Sequence, residues 1–385
     1  MSTILTILRD AEIITGLADS LDGNFTAMKK GECSIKTHLF EDLGGKRLLA
    51  SRVLPETPCK NTDKQPHATG VSLSFLETLV CRCIEKIVHN NKINTASPDV
   101  FLIISTTKGN IDFIQDIVTG KKNNSFLLSS FAANIQSHFG FVHTPLVVSN
   151  ACISGTQAVL FGQRLIQSGK YRQIIVAGGD LAGSFTLSGF ESFKALSSKP
   201  CRPFDKDRDG ISIGDGAGAI LLDAASEGKK CIAVSGGRTT NDANHISGPS
   251  RTGEELAECI RFAMSTIPEY AGKPAVIQAH GTGTIYNDEM ESKAYKTAGA
   301  DTCFVNSYKG YFGHTLGAAG IIETAILWKC MQTNTVLKTL GFSADGTPVP
   351  LNIARETISL IYTACLKTAA GFAGTNVCIG LYRTD

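Results

Sequence analysis

The sequence predicts an α/β fold built from two halves of similar pattern. Buried β runs alternate with helical patterns, and this alternation starts again after a short polar stretch at residues 224–230. The 385 residues include 38 glycines, which suits one large α/β unit with many tight turns. We therefore expect an N-terminal half over residues 1–225 and a C-terminal half over residues 226–385.

The elements of the N-terminal half follow from their periodicity. Residues 73–89 place apolar side chains along one face of a helix. Short apolar runs then predict strands at 100–105, 146–149 and 174–177, with a helix rich in small residues after the second. A strand, a helix and a further strand imply parallel pairing with a right-handed crossover.

The C-terminal half repeats this order. We predict a strand at 232–235, a helix near 254–264, and strands at 276–279 and 303–306. A helix over about 315–331 follows the last of these strands.

Composition excludes several classes of function. A net charge of +2 gives no reason to expect a nucleic acid or an anionic membrane as the main partner. The 12 cysteines include no CxxC pair, and the histidines do not follow them at zinc-finger spacing. No apolar run is long enough to span a bilayer, and the N-terminus has no signal-peptide pattern. We expect a cytoplasmic protein with free thiols and no bound metal or cofactor.

Reactive side chains stand at three strand-to-loop junctions. The first presents Cys152 in SNACISG, the second His280 in HGTGT, and the third Lys309 and His314 in KGYFGH. A thiol with two imidazoles suits a site that holds a thioester and then stabilises a carbanion.

The thiol needs help to react, because a free cysteine is largely protonated at neutral pH. Unpaired N–H groups at the start of the following helix would favour the thiolate of Cys152. Gly155 and Ala158 would let that helix pack closely against a neighbour.

The two imidazoles would act as neutral donors to an enolate oxygen. The hydroxyls of Thr282 and Thr284 could bind an amide-bearing arm such as phosphopantetheine. For Lys309 we weigh an added positive charge against an ion pair with Asp288 or Glu291 of NDEME, and favour the ion pair.

With these residues in place, the chain resembles the β-ketoacyl-acyl-carrier-protein synthases, in particular the elongating class with a Cys–His–His site and the thiolase fold. The resemblance runs from about Ile13 to the C-terminus. It is carried by NACISG, a GFxxxKALS-like segment, an RPFDxDRDG-like segment, HGTGT, NDxxE, KxxxGHxxGAAG and a GFxGTN-like segment at 371–376.

The resemblance implies two similar halves in a layered αβαβα arrangement. It implies that Cys152 takes an acyl group from acyl carrier protein, and that His280 and His314, with Lys309 beside them, promote decarboxylation of a malonyl thioester. The backbone amides of Cys152 and Phe372 would form an oxyanion hole.

The remaining roles also come from the resemblance. Thr282, Thr284 and Phe372 would contact the phosphopantetheine arm or gate its access, and Asp288 and Glu291 would support the site. The substrate arrives on its carrier, so no cofactor of the protein's own is implied. The product would be a β-ketoacyl carrier thioester of fatty acid, polyketide or polyene synthesis.

The chain departs from the family pattern at three positions. Ala373 stands where glycine is usual, Asp215 replaces a glutamate, and Lys108 lies where an apolar residue is common near the acyl tunnel. These departures leave the acyl substrate open. An acidic carrier protein could dock on lysines 121 and 122 together with Lys199.

The same residues also bear on the subunit role and on three other classes of enzyme. The family implies a homodimer, or a heterodimer in which this chain is the catalytic or the supporting subunit beside a chain-length factor; Cys152 and both histidines oppose a non-catalytic role. A cysteine hydrolase would need an Asn or Asp placed to orient a histidine, and this sequence shows neither such a residue nor a hydrolase motif. A thiolase or chain initiator is opposed by His314, where initiating synthases carry Asn.

Overall fold

The structure is a computed structural model that describes residues 4–54, 73–114, 118–120, 125–225 and 230–384. Within these ranges no helix combines the length and apolar character needed to cross a bilayer. The described cysteines are all free thiols.

The elements alternate along most of the chain. The strands are β1 (Leu5–Thr15), β2 (Ile35–Phe40), β3 (Lys46–Ser51), β4 (Val100–Ser105), β5 (Leu146–Val148), β6 (Gln173–Asp180), β7 (Ile213–Gly214), β8 (Gly216–Ala225), β9 (Ile232–Asn241), β10 (Val276–Gln278), β11 (Phe304–Asn306), β12 (Thr335–Val336), β13 (Ile358–Ser359), β14 (Ala364–Gly371) and β15 (Thr375–Arg383). The described α-helices are α1 (Leu21–Lys30), α2 (Phe75–Asn91), α3 (Leu128–Phe139), α4 (Ser154–Gln167), α5 (Ser184–Ser192), α6 (Glu254–Ser265), α7 (Ile285–Thr297), α8 (Lys309–Phe312) and α9 (Ala319–Gln332).

Helix α2 shows why these segments fold locally as they do. Ser74 accepts a hydrogen bond from the Glu77 amide, and Glu77 accepts one from the Ser74 amide, so a capping box starts the helix. Its apolar stripe, which includes Leu79, Val80 and Ile84, is buried against the sheet.

Two five-stranded units with the same strand order form the main sheet. The order is β11-β10-β14-β15-β9-β1-β8-β6-β4-β5, and β9 and β1 meet through the pair Ile7–Ala233. In each unit the first strand along the chain pairs antiparallel with the fifth, and the fifth pairs antiparallel with the fourth. The fourth strand pairs in parallel with the second, and the second pairs in parallel with the third. The predicted parallel pairing is therefore confirmed only for part of a mixed sheet.

Five layers follow from the packing of the helices. Helices α4 and α9 touch each other and contact strands of both units, so they form the central layer. Helix α2 covers the outer face of the first unit, and α6 covers the outer face of the second. The predicted arrangement of two similar halves in αβαβα layers is confirmed.

Strand β8 begins with the glycine-rich segment GAGA and is not among the strands predicted from the sequence. A β-carbon at Gly216 would stand 2.6 Å from Ile322 Cδ1, and one at Gly218 would stand 3.1 Å from Ile321 Cγ2. The glycines therefore let helix α9 lie close against a central strand. Because glycine has a low β propensity, a sequence pattern does not identify this segment as a strand.

Candidate active site

Two central helices bring the ends of distant segments together. A β-carbon at Gly155 of α4 would stand 2.7 Å from the Ile321 amide nitrogen of α9, and one at Gly320 would stand 2.0 Å from the Thr156 nitrogen. The two helices therefore pack backbone against backbone at their first turns. The residues that precede them, Cys152 and His314, consequently lie side by side.

The three predicted reactive side chains share one small space. The sulfur of Cys152 and one ring nitrogen each of His280 and His314 lie within 4.8 Å of one another. The two rings meet edge to face, with their centroids 5.1 Å apart. All three residues are buried, with exposures of 8%, 3% and 1%.

The neighbours of each ring determine where its proton resides. Nδ1 of His314 accepts a hydrogen bond from the Leu316 amide at 3.3 Å. Nδ1 of His280 faces the Lys309 ammonium group at 3.4 Å, and an ammonium group can only donate. Both rings therefore carry their proton on Nε2, and His314 Nε2 makes no hydrogen bond within the described protein. Because a metal ion needs a nitrogen lone pair, these tautomers disfavour a metal ion between the rings.

The surroundings also keep both rings uncharged. Burial, then Lys309, holds the pKa of His280 and that of His314 well below the usual range. Two neutral N–H donors therefore stand beside one thiol.

The predicted ion pair of Lys309 with Asp288 or Glu291 is wrong. Lys309 Nζ instead lies 2.7 Å from Glu323 Oε1 and donates to the His280 carbonyl oxygen at 2.5 Å. The reason is that Asp288 and Glu291 accept hydrogen bonds from backbone amides of the HGTGT loop, which occupy their oxygens.

Asp288 and Glu291 fix the HGTGT loop by accepting hydrogen bonds from its backbone amides. Glu291 accepts hydrogen bonds from the amides of His280 at 2.8 Å and Gly281 at 2.6 Å, and from the Tyr295 hydroxyl at 2.6 Å. Asp288 accepts from the amides of Thr282 at 3.1 Å and of Phe204 at 2.7 Å. Burial, then the charge of Glu291, raises the pKa of Asp288 to about 7.

Replacing Glu291 by glutamine should destabilise the protein by about 2–4 kcal/mol, because buried amide and hydroxyl donors lose a charged acceptor. Urea unfolding of the purified variant measures this loss. Glu356→Gln, at an exposed position of the chain, is the matched control and should change stability by less than about 0.5 kcal/mol. Equal losses in the two variants would contradict the role given to Glu291.

The thiol is less acidic than the helix start led us to expect. Burial raises the pKa of Cys152 to about 11, although Lys309 and the Phe372 amide both favour the thiolate. Gly371 lets that amide approach, since a β-carbon there would stand 3.1 Å from the Cys152 nitrogen. The chain segments that carry the Cys152 and Phe372 amides are therefore neighbours beside the Cys152 sulfur.

A resting thiol of this kind should react slowly at neutral pH. Alkylation of Cys152 by iodoacetamide should rise about tenfold for each pH unit between about 7 and 10, because the thiolate fraction does so below the pKa. Peptide mass spectrometry separates this thiol from Cys33 and Cys231, which are partly exposed. A rate that levels off below pH 8 would show a thiolate that is stabilised at rest.

A cavity of about 460 Å³ leads from solvent to the thiol and both rings. Thr282 and Thr284 line it, and their hydroxyl oxygens lie 2.8 Å apart. Phe372 lies at its wall, half-buried, where its ring contacts Phe190 and Phe193 at centroid distances of 5.5 Å and 5.8 Å. The threonines offer polar contacts beside the aromatic rings of this wall.

Two charged residues that the sequence patterns did not predict lie next to the site. Glu323 interrupts the apolar run of α9, and Lys367 stands inside the buried strand β14. Both are essentially unexposed. A charge inside an apolar segment was the available signal, since such residues are almost never buried unpaired.

Two other predicted features have different outcomes. Lys108 is tied into an ion pair with Asp180, whose Oδ1 lies 3.0 Å from the ammonium group, and it is not among the residues that line the described cavity. Lysines 121 and 122 lie outside the described residues, while Lys199 is exposed.

Comparison with known families agrees with this geometry. The family models for the N-terminal and C-terminal domains of β-ketoacyl synthases match residues 104–228 and 232–343, together more than half of the chain. The 3-oxoacyl-[acyl-carrier-protein] synthase 2 of Vibrio cholerae is 32% identical over 272 residues, which are 66% of this chain and 65% of that protein. The match thus spans just under two thirds of that relative's length.

Solved structures share the fold over the whole chain. A β-ketoacyl synthase from Burkholderia phymatum has a TM-score of 0.88 at 20% identity and covers 100% of both chains. The ketosynthase ApeO of Xenorhabdus doucetiae, solved in complex with its chain length factor ApeC, has a TM-score of 0.84 at 22% identity, with 99% of this chain and 98% of that chain covered. The implied thiolase-like fold is thereby confirmed, and the chain belongs to the β-ketoacyl synthase family.

Proposed function

We propose that this protein catalyses a decarboxylative Claisen condensation between an acyl group held on Cys152 and a malonyl thioester carried by acyl carrier protein. The observation that carries the proposal is one thiol within 4.8 Å of two imidazoles, both with Nδ1 occupied and Nε2–H free to donate. Such a set binds developing negative charge and cannot easily take a proton from water, which distinguishes it from the site of a hydrolase.

The first step loads the acyl group. The Cys152 sulfur attacks the thioester carbonyl of the acyl carrier, a new carbon–sulfur bond forms, and the bond to the phosphopantetheine sulfur breaks. The proton of Cys152 leaves with the phosphopantetheine thiol, so the exchange is balanced. The amides of Cys152 and Phe372 would bind the oxygen of the tetrahedral intermediate.

The second step generates the carbon nucleophile. The carbonyl oxygen of the malonyl thioester would accept hydrogen bonds from Nε2–H of His280 and of His314. When the bond to the carboxylate breaks and CO2 leaves, the electron pair passes into an enolate whose oxygen these two donors stabilise. Neutral rings suit this step because they donate without protonating the carbanion.

The third step forms the product. The enolate carbon attacks the acyl-Cys152 carbonyl, and the carbon–sulfur bond to Cys152 then breaks. The β-ketoacyl chain leaves on the carrier, and the released thiolate regains a proton from solvent. Thr282 and Thr284 would hold the phosphopantetheine arm, and Phe372 would gate the passage between the two half-reactions.

Intact-mass spectrometry of the protein offered a panel of acyl carrier thioesters tests this function. We expect a mass increase by one acyl group, located on Cys152 and stable until malonyl carrier is added. Release of free acid without malonyl carrier would identify a hydrolase instead, and would contradict the proposal.

A paired assembly is the second part of the proposal. The Xenorhabdus doucetiae ketosynthase pairs with a chain length factor, and a homodimer or such a heterodimer is expected for this chain, with Cys152 and both rings making it the catalytic subunit. A cytoplasmic location, halves divided at residues 225 and 226, and carrier docking near Lys199 also remain predictions.

A further inference from the structure

Two lysines share one carboxylate beneath His280. Lys309 Nζ lies 2.7 Å from Glu323 Oε1, and Lys367 Nζ lies 2.8 Å from Glu323 Oε2. The second contact is an ion pair. Lys367 also donates to the Thr368 carbonyl oxygen at 2.6 Å. Both lysine side chains are fully buried.

This arrangement is unusual because buried charges are normally balanced. The ionised Lys309–Glu323–Lys367 triad by itself has two positive groups and one negative group, a net charge of +1. Burial lowers the pKa of Lys367, whereas Glu323 and the buried Glu291 on helix α7 favour its charged form. Within the described residues, the three donor protons of Lys309 already face Glu323 Oε1, the His280 carbonyl oxygen and His280 Nδ1. Lys367 therefore has a different role from Lys309, because its ammonium group contacts Glu323 and the Thr368 carbonyl oxygen and not the imidazole rings.

The extra charge acts on both rings. After burial and Lys309, the neighbouring His314 and then Lys367 lower the pKa of His280. After burial and Lys309, Lys367 and then Lys108 lower the pKa of His314. The same positive charge attracts the enolate that forms between the rings.

We propose that Lys367 is a positioning residue for carbon–carbon bond formation: it holds Glu323 against Lys309, and its positive charge stabilises the enolate that forms between the two rings. The inference rests on the proposed condensation. It assigns Lys367 no part in acyl loading, because the thiol exchanges its acyl group without the imidazole donors.

Lys367→Met removes the charge and keeps a side chain of similar length. We expect acyl loading of Cys152 to stay within about twofold, and condensation to fall by about 10- to 100-fold. Because loss of a nearby positive charge raises the pKa of both rings, the acid side of the condensation pH profile should move to higher pH. Cys378→Ala, buried on β15 opposite Thr368, is the matched control and should leave the profile in place.

A double variant separates charge from packing. Glu323→Gln combined with Lys367→Met leaves Lys309 as the only charged member and restores the net charge of the triad. The acid side of the pH profile should return toward that of the unmodified protein. Circular dichroism and urea unfolding establish that each variant is folded, and NMR titration of His280 and His314 reports the ring pKa values directly in any folded variant.

The outcomes are distinct. If the unmodified protein condenses and folded Lys367→Met shows the same rate, pH profile and ring titration, the role of Lys367 is refuted while the proposed function stands. A double variant whose profile stays with that of Lys367→Met also refutes the charge role. If the unmodified protein forms no β-ketoacyl product, the proposed function itself fails.

Discussion

Cys152→Ala should lower condensation by at least about 10⁴-fold, because removal of a covalent nucleophile removes the acyl intermediate. The variant should gain no mass from acyl carrier thioesters. It keeps both Nε2–H donors, so we expect it still to release CO2 from malonyl carrier and to leave an acetyl thioester. Parallel measurement of CO2 release and product mass checks both statements.

Cys83→Ala is the control for this experiment, since Cys83 is another fully buried thiol, on helix α2, far from the cavity. It should load and condense normally. Normal condensation by folded Cys152→Ala would rule out the covalent mechanism.

His314→Ala should reduce condensation by about 10²- to 10³-fold, the usual effect of losing one donor to a developing oxyanion. His280→Ala should act in the same direction. Acylation of Cys152 should persist in both, because loading uses the thiol and the backbone amides. Single-turnover experiments separate the two half-reactions.

His89→Ala, an exposed residue at the end of α2, controls for the loss of a histidine and should behave like the unmodified protein. Equal losses of loading and condensation in His314→Ala would mean that this ring serves the thiol, and the division of roles would be wrong.

The sequence predicted correctly that the side chains of Cys152, His280 and His314 come together. Cys152 follows the edge strand β5, of which only Val148 is buried, and His280 follows the buried strand β10. His314 precedes helix α9, and the layered fold places the three side chains together. Gly155 was expected to allow close helix packing, and the structure gives it that place against Ile321. Local patterns were sufficient for these features.

The remainder depends on partners that are distant along the chain. Lys309 lies 14 residues before Glu323 and was assigned instead to the acids of NDEME, because the sequence does not show that loop amides occupy those acids. The predicted acidity of the Cys152 thiol is wrong for a related reason. Burial by the surrounding layers raises its pKa more than the start of one helix lowers it. Ala373 adopts a left-handed conformation with φ of 62° in the segment where glycine is usual, a conformation that only the structure shows.

The most direct test uses protein that has been acylated on Cys152, separated from excess donor, and mixed with malonyl carrier labelled with ¹³C in its free carboxyl group. The proposed mechanism requires that one labelled CO2 is released for each acyl group lost from Cys152, and that the carrier gains a β-ketoacyl chain extended by two carbons. Loss of the acyl group as free acid, or a carrier product that retains the label, would contradict it.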